Sequence, residues 1–234
     1  MKTIWIDDII GEDFFGEGVT QTSIRRQLEG AAPGEDLLLR VNSPGGLVFE
    51  AQAIRSVLSD HSGRIDVQVD GLAASAASYI AMLGEKITMT EGAMMMIHNP
   101  WSSVLGTAAD MRVEADLLDK IGENIAASYS VKSSMSIEAA IEAMEAETWF
   151  TAEEAVAAGL ADEVKQTQTA AAVSLRVPAA FGFRNTPAAI AVMEPKPLKM
   201  QAKRTEMKEA AGNARPPLHS ARLKLALAKM ELDV

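Results

Sequence analysis

Three short stretches of this sequence follow strand-like apolar runs and carry residues suited to acyl-transfer chemistry. The first is GLAASAAS at residues 71–78, in which Ser75 ends a strand pattern and opens a helix of small residues. The second is MIHNP at residues 96–100, which contains His98, and the third is the turn sequence NSPGG at residues 42–46. A serine nucleophile, a histidine base and backbone N–H donors for an oxyanion are the groups that serine-based acyl transfer requires.

The local pattern around Ser75 allows two interpretations. At the start of a helix its hydroxyl lies near free N–H groups that favour developing negative charge, which suits a nucleophile. A serine at this position is also a common helix N-cap, and the local pattern by itself favours the cap. Ser78, one helical turn later, is the competing serine, and we expect it to pack in the interior.

His98 is the best candidate for the base among three histidines. His61 lies in a polar sequence at a helix end, and His219 lies in the C-terminal segment. Histidine exchanges protons near neutral pH, which general-base catalysis requires. The alternative for His98 is a hydrogen-bonded structural histidine at a strand end.

Gly46 and Ala76 are the expected oxyanion donors, because glycine lets the backbone approach closely and Ala76 directly follows Ser75. Taken alone, however, residues 42–46 are better explained as a tight turn. The carboxylate that would orient His98 is left open among Glu142, Glu145 and Glu147, any of which could be a solvated helix charge. Glu147 lies closest to the end of the predicted helix, so we prefer it slightly to Glu145.

Strands and helices alternate over about 160 residues, which predicts an α/β fold with mostly parallel pairing. The expected strands are residues 1–10, 36–42, 65–69, 86–89, 94–97 and 160–164. The expected helices are residues 22–29, 48–59, 75–83, 107–144 with an interruption at 133–136, and 151–158.

Charge divides the chain into two segments. Residues 1–166 hold 11 Lys+Arg and 27 Asp+Glu, a net charge of −16, whereas residues 167–234 hold 11 and 5, a net charge of +6. We expect a folded domain over residues 1–166 and a flexible basic tail, rich in Pro and Ala, over residues 167–234. Residues 220–232 of this tail can form a short amphipathic helix.

Composition excludes several classes of function. The sequence has no cysteine, so thiolate chemistry and disulfides are excluded. No apolar run approaches the ~18 residues of a membrane span, and no Gly-Lys-Ser/Thr nucleotide loop is present. The net negative charge of residues 1–166 disfavours binding to nucleic acid, which is itself an anion. We expect a cytoplasmic protein with no cofactor, no metal, no membrane contact and no nucleic-acid partner.

These motifs resemble those of the proteolytic subunit of Clp protease, and specifically the Clp-like head maturation proteases of tailed bacteriophages. Together with TAEEA at residues 151–155 and GLADEV at 159–164, they occur in the family's order. The resemblance implies the Clp/crotonase fold, a spiral of β-β-α units, with a triad that includes Ser75 and His98. It also implies a homo-oligomeric ring and a protruding helical handle at about residues 106–144 that mediates ring stacking.

The sequence departs from the family at the third triad position. An ungapped alignment places Ala143 where the family has aspartate, whereas a gapped alignment pairs Glu147-Thr148 with the family's Asp-Thr. The Glu-Thr-Trp run resembles the phage branch, which supports Glu147. The tail has no counterpart in the housekeeping subunit.

The expected function is therefore that of an ATP-independent serine endopeptidase that processes capsid and scaffold proteins, in the host cytoplasm or the phage prohead. Two alternatives remain. A crotonase-type acyl-CoA enzyme would have this fold without needing a serine–histidine pair, and a non-catalytic ring or scaffold protein would need neither residue.

Overall fold

The computed structural model describes residues 1–12, 18–166, 176–178, 182–187 and 191–193. The amphipathic segment predicted at residues 220–232 lies outside the described residues, and the division of the chain at residue 166 stays a prediction. Within the described ranges, every helix is too short or too polar to cross a membrane.

A mostly parallel seven-stranded sheet forms the centre of the fold, which confirms the predicted α/β class. Five of its strands are parallel and follow one another across the sheet: β1 Lys2–Ile6, β2 Leu37–Ser43, β3 Ile65–Ala74, β4 Lys86–Thr90 and β7 Glu163–Lys165. The other two are β5 Met94–Ile97, parallel to β3, and β6 Thr148–Thr151, antiparallel to β5. A separate pair of short parallel strands consists of β8 Arg176–Pro178 and β9 Ala191–Met193.

Six helices connect and cover these strands in the described part of the chain: α1 Gln21–Leu28, α2 Val48–Ser59, α3 Ala76–Ala81, α4 Ala108–Lys132, α5 Ile137–Glu145 and α6 Ala152–Ala157. The break between α4 and α5 falls at the predicted interruption. Thr151 caps α6, and its hydroxyl accepts the Glu154 N–H while the Glu154 carboxylate accepts the Thr151 N–H.

The long strand β3 changes its partner half-way along. Its first half pairs with β4 over Asp66–Val69, and its second half pairs with β5 over Leu72–Ala74. The side chains of Leu37, Leu39 and Val41 in β2 are fully buried, as expected for a sheet that is covered by helices. The change of partner gives β5 a place beside the end of β3, where the candidate residues lie.

Ser78 and Tyr129 join α3 to α4 inside the core. The Ser78 hydroxyl lies 2.8 Å from the Tyr129 hydroxyl, 2.7 Å from the Ser75 carbonyl oxygen and 2.8 Å from that of Met96. Burial raises the pKa of Tyr129, so this phenol stays protonated. Ser78 packs in the interior, as the sequence predicts.

We expect Ser78→Ala to destabilise the protein more than Tyr129→Phe. Ser78→Ala leaves the buried Tyr129 hydroxyl without a partner, which costs about 1–3 kcal/mol. Tyr129→Phe leaves Ser78 two carbonyl acceptors and costs about 1 kcal/mol. Urea unfolding at equal protein concentration measures the free energy of unfolding of both variants. A larger loss of unfolding free energy for Tyr129→Phe than for Ser78→Ala would contradict the prediction.

Candidate active site

The register of β3 on β5 brings Ser75 and His98 together. Ala74 is paired with Met96, so the residues that follow the two strands emerge side by side. The Ser75 N–H also donates to the Met96 carbonyl oxygen at 2.9 Å. The Ser75 Oγ lies 2.7 Å from His98 Nε2, which is hydrogen-bond distance.

Ser75 has an unusual backbone conformation at the start of α3. Its φ is 55° and its ψ is −123°, a region that L-residues rarely adopt. Its side chain makes no capping bond to α3 and instead meets the imidazole. The local pattern favoured an N-cap role for this hydroxyl, and the structure places the hydroxyl elsewhere. The strained conformation directs Oγ away from the helix axis and towards His98.

The turn at residues 42–46 lies against Ser75. The Ser43 hydroxyl donates to the Asp8 carbonyl at 2.5 Å and accepts the Gly45 N–H at 3.1 Å, which fixes the turn. Gly45 has a φ of 93°, and a Cβ built on it would lie 2.8 Å from the Ser75 Cβ. Only glycine fits this close approach.

Gly46 and Ala76, the predicted oxyanion donors, adjoin Ser75 in different ways, since Gly46 lines a cleft together with Ser75 and Ala76 directly follows Ser75 in the chain. The Ile10 N–H donates to the Gly45 carbonyl oxygen, and the Ile10 carbonyl oxygen accepts the Leu47 N–H. The N–H of Gly46, which lies between these two bonds, therefore points to the opposite side of the turn. Ala76 is the first residue of α3, where an N–H has no partner within the helix. Their role as oxyanion donors stays a prediction.

A cleft of about 690 Å³ opens in front of this group. Gly46, Ser75 and His98 contribute to its floor, and most of its other lining is apolar. That lining includes Ile9, Ile10, Leu47, Val48, Phe49, Trp101, Leu117, Leu118 and Ile121. The cleft could hold an extended, largely apolar chain next to the Ser75 hydroxyl.

Burial lowers the pKa of His98 below its ordinary value of 6.5. The Glu147 carboxylate raises the pKa of this imidazole, and the Arg184 guanidinium lowers it. The overall direction is downward, so His98 is neutral at pH 7. A neutral ring with its proton on Nδ1 leaves Nε2 free to accept the Ser75 hydroxyl proton.

Glu147 is the buried member of the three carboxylates. Its side chain is 4% exposed, whereas those of Glu142 and Glu145 are exposed. Ile97 is paired with Thr148 in the antiparallel ladder, so Glu147 immediately precedes β6 opposite the position of His98. Burial opposes ionisation of this carboxyl, but hydrogen bonds from the Arg184 and Asn185 N–H groups lower the pKa of Glu147 overall.

Two of the three hydrogen-bond donors to the Glu147 carboxylate in the described part of the chain come from the segment that follows residue 166. The Arg184 N–H donates to Oε2 at 2.9 Å, and the Asn185 N–H donates to Oε1 at 2.6 Å. The Trp149 indole N–H donates to Oε1 at 3.4 Å. The structure, which describes both Glu147 and His98, gives no hydrogen bond or ion pair between them.

Sequence reasoning missed these C-terminal contacts. The signal available was the pair Phe181 and Phe183, the sole aromatic residues after residue 166 in a stretch rich in Ala and Pro. Phe183 packs edge-on against His98, with 5.3 Å between ring centroids, and against Trp149 at 5.7 Å. Because these contacts join residues far apart in sequence, no local pattern predicts them.

The remaining histidine in the described part of the chain lies elsewhere. His61 Nε2 contacts the Glu35 carbonyl oxygen at 2.5 Å, at the end of α2. Among the described residues, no group of three or more His, Asp or Glu side chains is arranged to hold a metal ion.

The fold and these motifs match a known family of proteases. The Clp protease family model matches residues 17–168. The chain belongs to the Clp protease family, and its class is therefore that of a protease, a hydrolase of peptide bonds.

Curated relatives agree with this assignment. The chain is 26% identical over 166 residues to ATP-dependent Clp protease proteolytic subunit 2 of Tropheryma whipplei (strain Twist), covering 70% of this chain and 91% of the relative. It is 28% identical over 169 residues to proteolytic subunit 1 of Synechococcus sp. (strain CC9902), covering 69% and 86%. It is 30% identical over 159 residues to subunit 1 of Prochlorococcus marinus (strain NATL2A), covering 64% and 81%. These relatives are bacterial, and the phage branch stays a prediction.

We expect the pKa of His98, measured by NMR titration, to lie below 6.5. Glu147→Gln should lower the pKa of His98 further, because it removes the anion that favours the imidazolium. Glu145→Gln is the matched control, since that carboxylate is exposed, and it should leave the pKa unchanged. Equal shifts in both variants would contradict the placement of Glu147 beside the imidazole.

Proposed function

We propose that this protein is a serine endopeptidase whose nucleophile is Ser75. The observation that carries the proposal is the 2.7 Å contact between Ser75 Oγ and His98 Nε2 at the floor of an apolar cleft. A hydroxyl at hydrogen-bond distance from a neutral imidazole is the arrangement that activates serine for attack on a carbonyl. Membership of the Clp protease family supports the same reaction class.

In the proposed mechanism, Ser75 attacks the scissile carbonyl while His98 takes the hydroxyl proton. His98 then gives this proton to the leaving amine, and water hydrolyses the acyl-enzyme by the same two steps. The N–H groups of Gly46 and Ala76 stabilise the oxyanion. These donors can stabilise the transition state because they are fixed before the reaction. Hydrogen bonds between Ile10 and the two neighbours of Gly46 hold Gly46, and the start of α3 holds Ala76.

Glu147 is the proposed third member of the triad. A carboxylate bonded to Nδ1 would hold the ring and stabilise the imidazolium that forms during attack. The burial of Glu147, its lowered pKa and its place opposite His98 in the β5–β6 ladder support this role over Glu145. To act, the carboxylate must form a bond to His98 that the described arrangement lacks.

The two other functions are less well supported by this site. An acyl-CoA enzyme of the crotonase type uses an oxyanion hole but does not need a serine hydroxyl that is hydrogen-bonded to a histidine. A non-catalytic ring protein has no need of a strained Ser75 or of a glycine packed against it. Strained backbone is costly, and it commonly occurs where a reactive group must be aimed.

Capsid and scaffold proteins are the proposed substrates, in the host cytoplasm or the prohead. The support is the resemblance of Glu147-Thr148-Trp149 to the phage branch, together with a basic tail that the housekeeping subunit lacks. We also propose that peptide cleavage by this chain is independent of ATP. Its sequence contains no Gly-Lys-Ser/Thr loop, so the chain does not itself hydrolyse ATP by that route.

A homo-oligomeric ring is the proposed assembly, with α4 in the predicted handle as a contact surface. Four large apolar side chains of α4 are exposed in the single chain: Met111 by 48%, Val113 by 70%, Leu117 by 41% and Val131 by 90%. Apolar side chains clustered on an exposed helix commonly mark a protein–protein contact.

Ser75→Ala should abolish labelling by a fluorophosphonate probe and reduce peptide cleavage by at least about 10⁴-fold. The fold should persist, because the change removes one hydroxyl from a small-residue site. Cleavage is measured with a fluorogenic peptide in the absence of nucleotide. Ser59→Ala, an exposed serine at the end of α2, is the control and should keep full activity. Wild-type cleavage by Ser75→Ala would refute the nucleophile assignment.

Val113→Lys should reduce the oligomer to smaller species, because a buried unpaired ammonium at a subunit contact is costly. Asp116→Asn on the same helix makes an equal change in net charge and leaves the apolar side chains intact, so it should keep the oligomer. Light scattering of both variants measures the mass. The same mass for Val113→Lys and the wild type would show that this part of α4 is not a contact.

A further inference from the structure

Residues 182–187, here called the clasp, lie directly against the candidate active site. Besides the two N–H bonds to the Glu147 carboxylate, the Asn185 side-chain amide donates to the Ala146 carbonyl at 2.7 Å. The Arg184 guanidinium donates to the Glu145 carbonyl at 3.3 Å. Four hydrogen bonds therefore fix the clasp to the end of α5 and to the short loop that leads into β6.

The clasp approaches the imidazole from the side of Glu147. Phe183 packs edge-on against the His98 ring and against the Leu72, Ala74 and Met96 cluster of β3 and β5. None of the described clasp residues lines the cleft that contains Ser75. Gly182 and Arg184 instead line a neighbouring cavity of about 310 Å³, which includes Glu147 and shares His98 and Trp101 with that cleft. The clasp is thus placed to act on the carboxylate rather than to fill the substrate cleft.

The bonds of the clasp fix the orientation of the carboxylate that catalysis needs. Both Glu147 oxygens accept backbone N–H groups of the clasp, at 2.9 Å and 2.6 Å, while Glu147 and His98, both described, share no hydrogen bond. Charged hydrogen bonds of this length are strong, so they hold the carboxylate in its present orientation. The Arg184 guanidinium adds a positive charge near the imidazole, which disfavours a second positive charge on that ring.

We propose that the clasp holds the Glu147 carboxylate away from His98 and so keeps the Ser75–His98 pair in a resting state. Displacement of the clasp would free the carboxylate to accept the His98 Nδ1–H and complete the triad. This inference rests on the proposed function, in which Ser75 is the nucleophile.

Displacement has a defined effect on the titration of His98. The two charged groups that act on this ring are Glu147, which raises the pKa of His98, and Arg184, which lowers it. Moving Arg184 away and bringing Glu147 closer both raise the pKa of His98. The other titratable groups that share a cavity wall with His98 are Glu12, Glu50, Glu114, Tyr79 and Tyr129, and none of them bonds to the clasp in the described part of the chain.

The test compares two substitutions at Asn185 in the full-length chain. Asn185→Pro removes the N–H that donates to Glu147 Oε1, because proline has no backbone donor. Asn185→Ala is the matched control, since it keeps that N–H and loses only the side-chain bond to Ala146. Fluorophosphonate labelling of Ser75 should accelerate about tenfold in Asn185→Pro and change by less than about twofold in Asn185→Ala.

A second measurement does not depend on activity. NMR titration of His98 should show a higher pKa in Asn185→Pro than in the wild type. Phe183→Ala, which keeps both clasp N–H donors but removes the packing against His98, should move labelling and pKa in the same directions. If Asn185→Pro does not fold, the labelling rate and the His98 pKa of Phe183→Ala test the proposal instead.

Each outcome supports or overturns the proposal. Labelling that is unchanged or slower in Asn185→Pro overturns it and makes the clasp a support that positions Glu147 for catalysis. Faster labelling without a rise in the pKa of His98 also overturns it. If neither the wild type nor any variant is labelled while the pKa of His98 still rises, the clasp is supported and the assignment of Ser75 as nucleophile fails.

Discussion

The pairing of β5 with its two neighbours is the constraint on which the candidate site depends. On one side Met96 is paired with Ala74, which places Ser75 beside the end of β5. On the other side Ile97 is paired with Thr148, which places Glu147 opposite His98. A shift of one residue in either ladder would turn the adjoining side chains to the other face of the sheet. Three residues that are 23 and 49 positions apart in sequence thus meet through two registers of a four-residue strand.

Close backbone approach is the second requirement of the site. Ser75 adopts a positive φ, and Gly45 lies so near it that a side chain at residue 45 would clash. The bond from Ser43 to the Asp8 carbonyl holds the glycine turn from behind. The buried Ser78–Tyr129 contact supports α3 from below. The small residues around Ser75 therefore allow the backbone segments to approach closely. The hydroxyl reaches the imidazole because this surrounding backbone is fixed.

A buried carboxylate next to a partly buried imidazole can be satisfied in more than one way. In this structure backbone N–H groups of residues 184 and 185 satisfy the Glu147 oxygens. The His98 Nδ1–H is the donor that a triad would use. Because the Glu147 anion raises the pKa of His98, the orientation in which these N–H groups hold the carboxylate affects the charge that the imidazole can carry. The clasp is a local electrostatic element with a direct effect on the proposed base.

The sequence by itself determined the α/β class, the order of the elements and the candidates Ser75, His98 and Gly46, because apolar periodicity and turn residues act over a few neighbouring positions. It left Ser75 between a cap and a nucleophile and left Glu147 between three carboxylates. Only the tertiary structure decided which hydroxyl faces the imidazole, which glutamate is buried and what bonds to it. These outcomes depend on strand register and on contacts between residues far apart in sequence, such as Glu147 and Asn185, which no local pattern encodes.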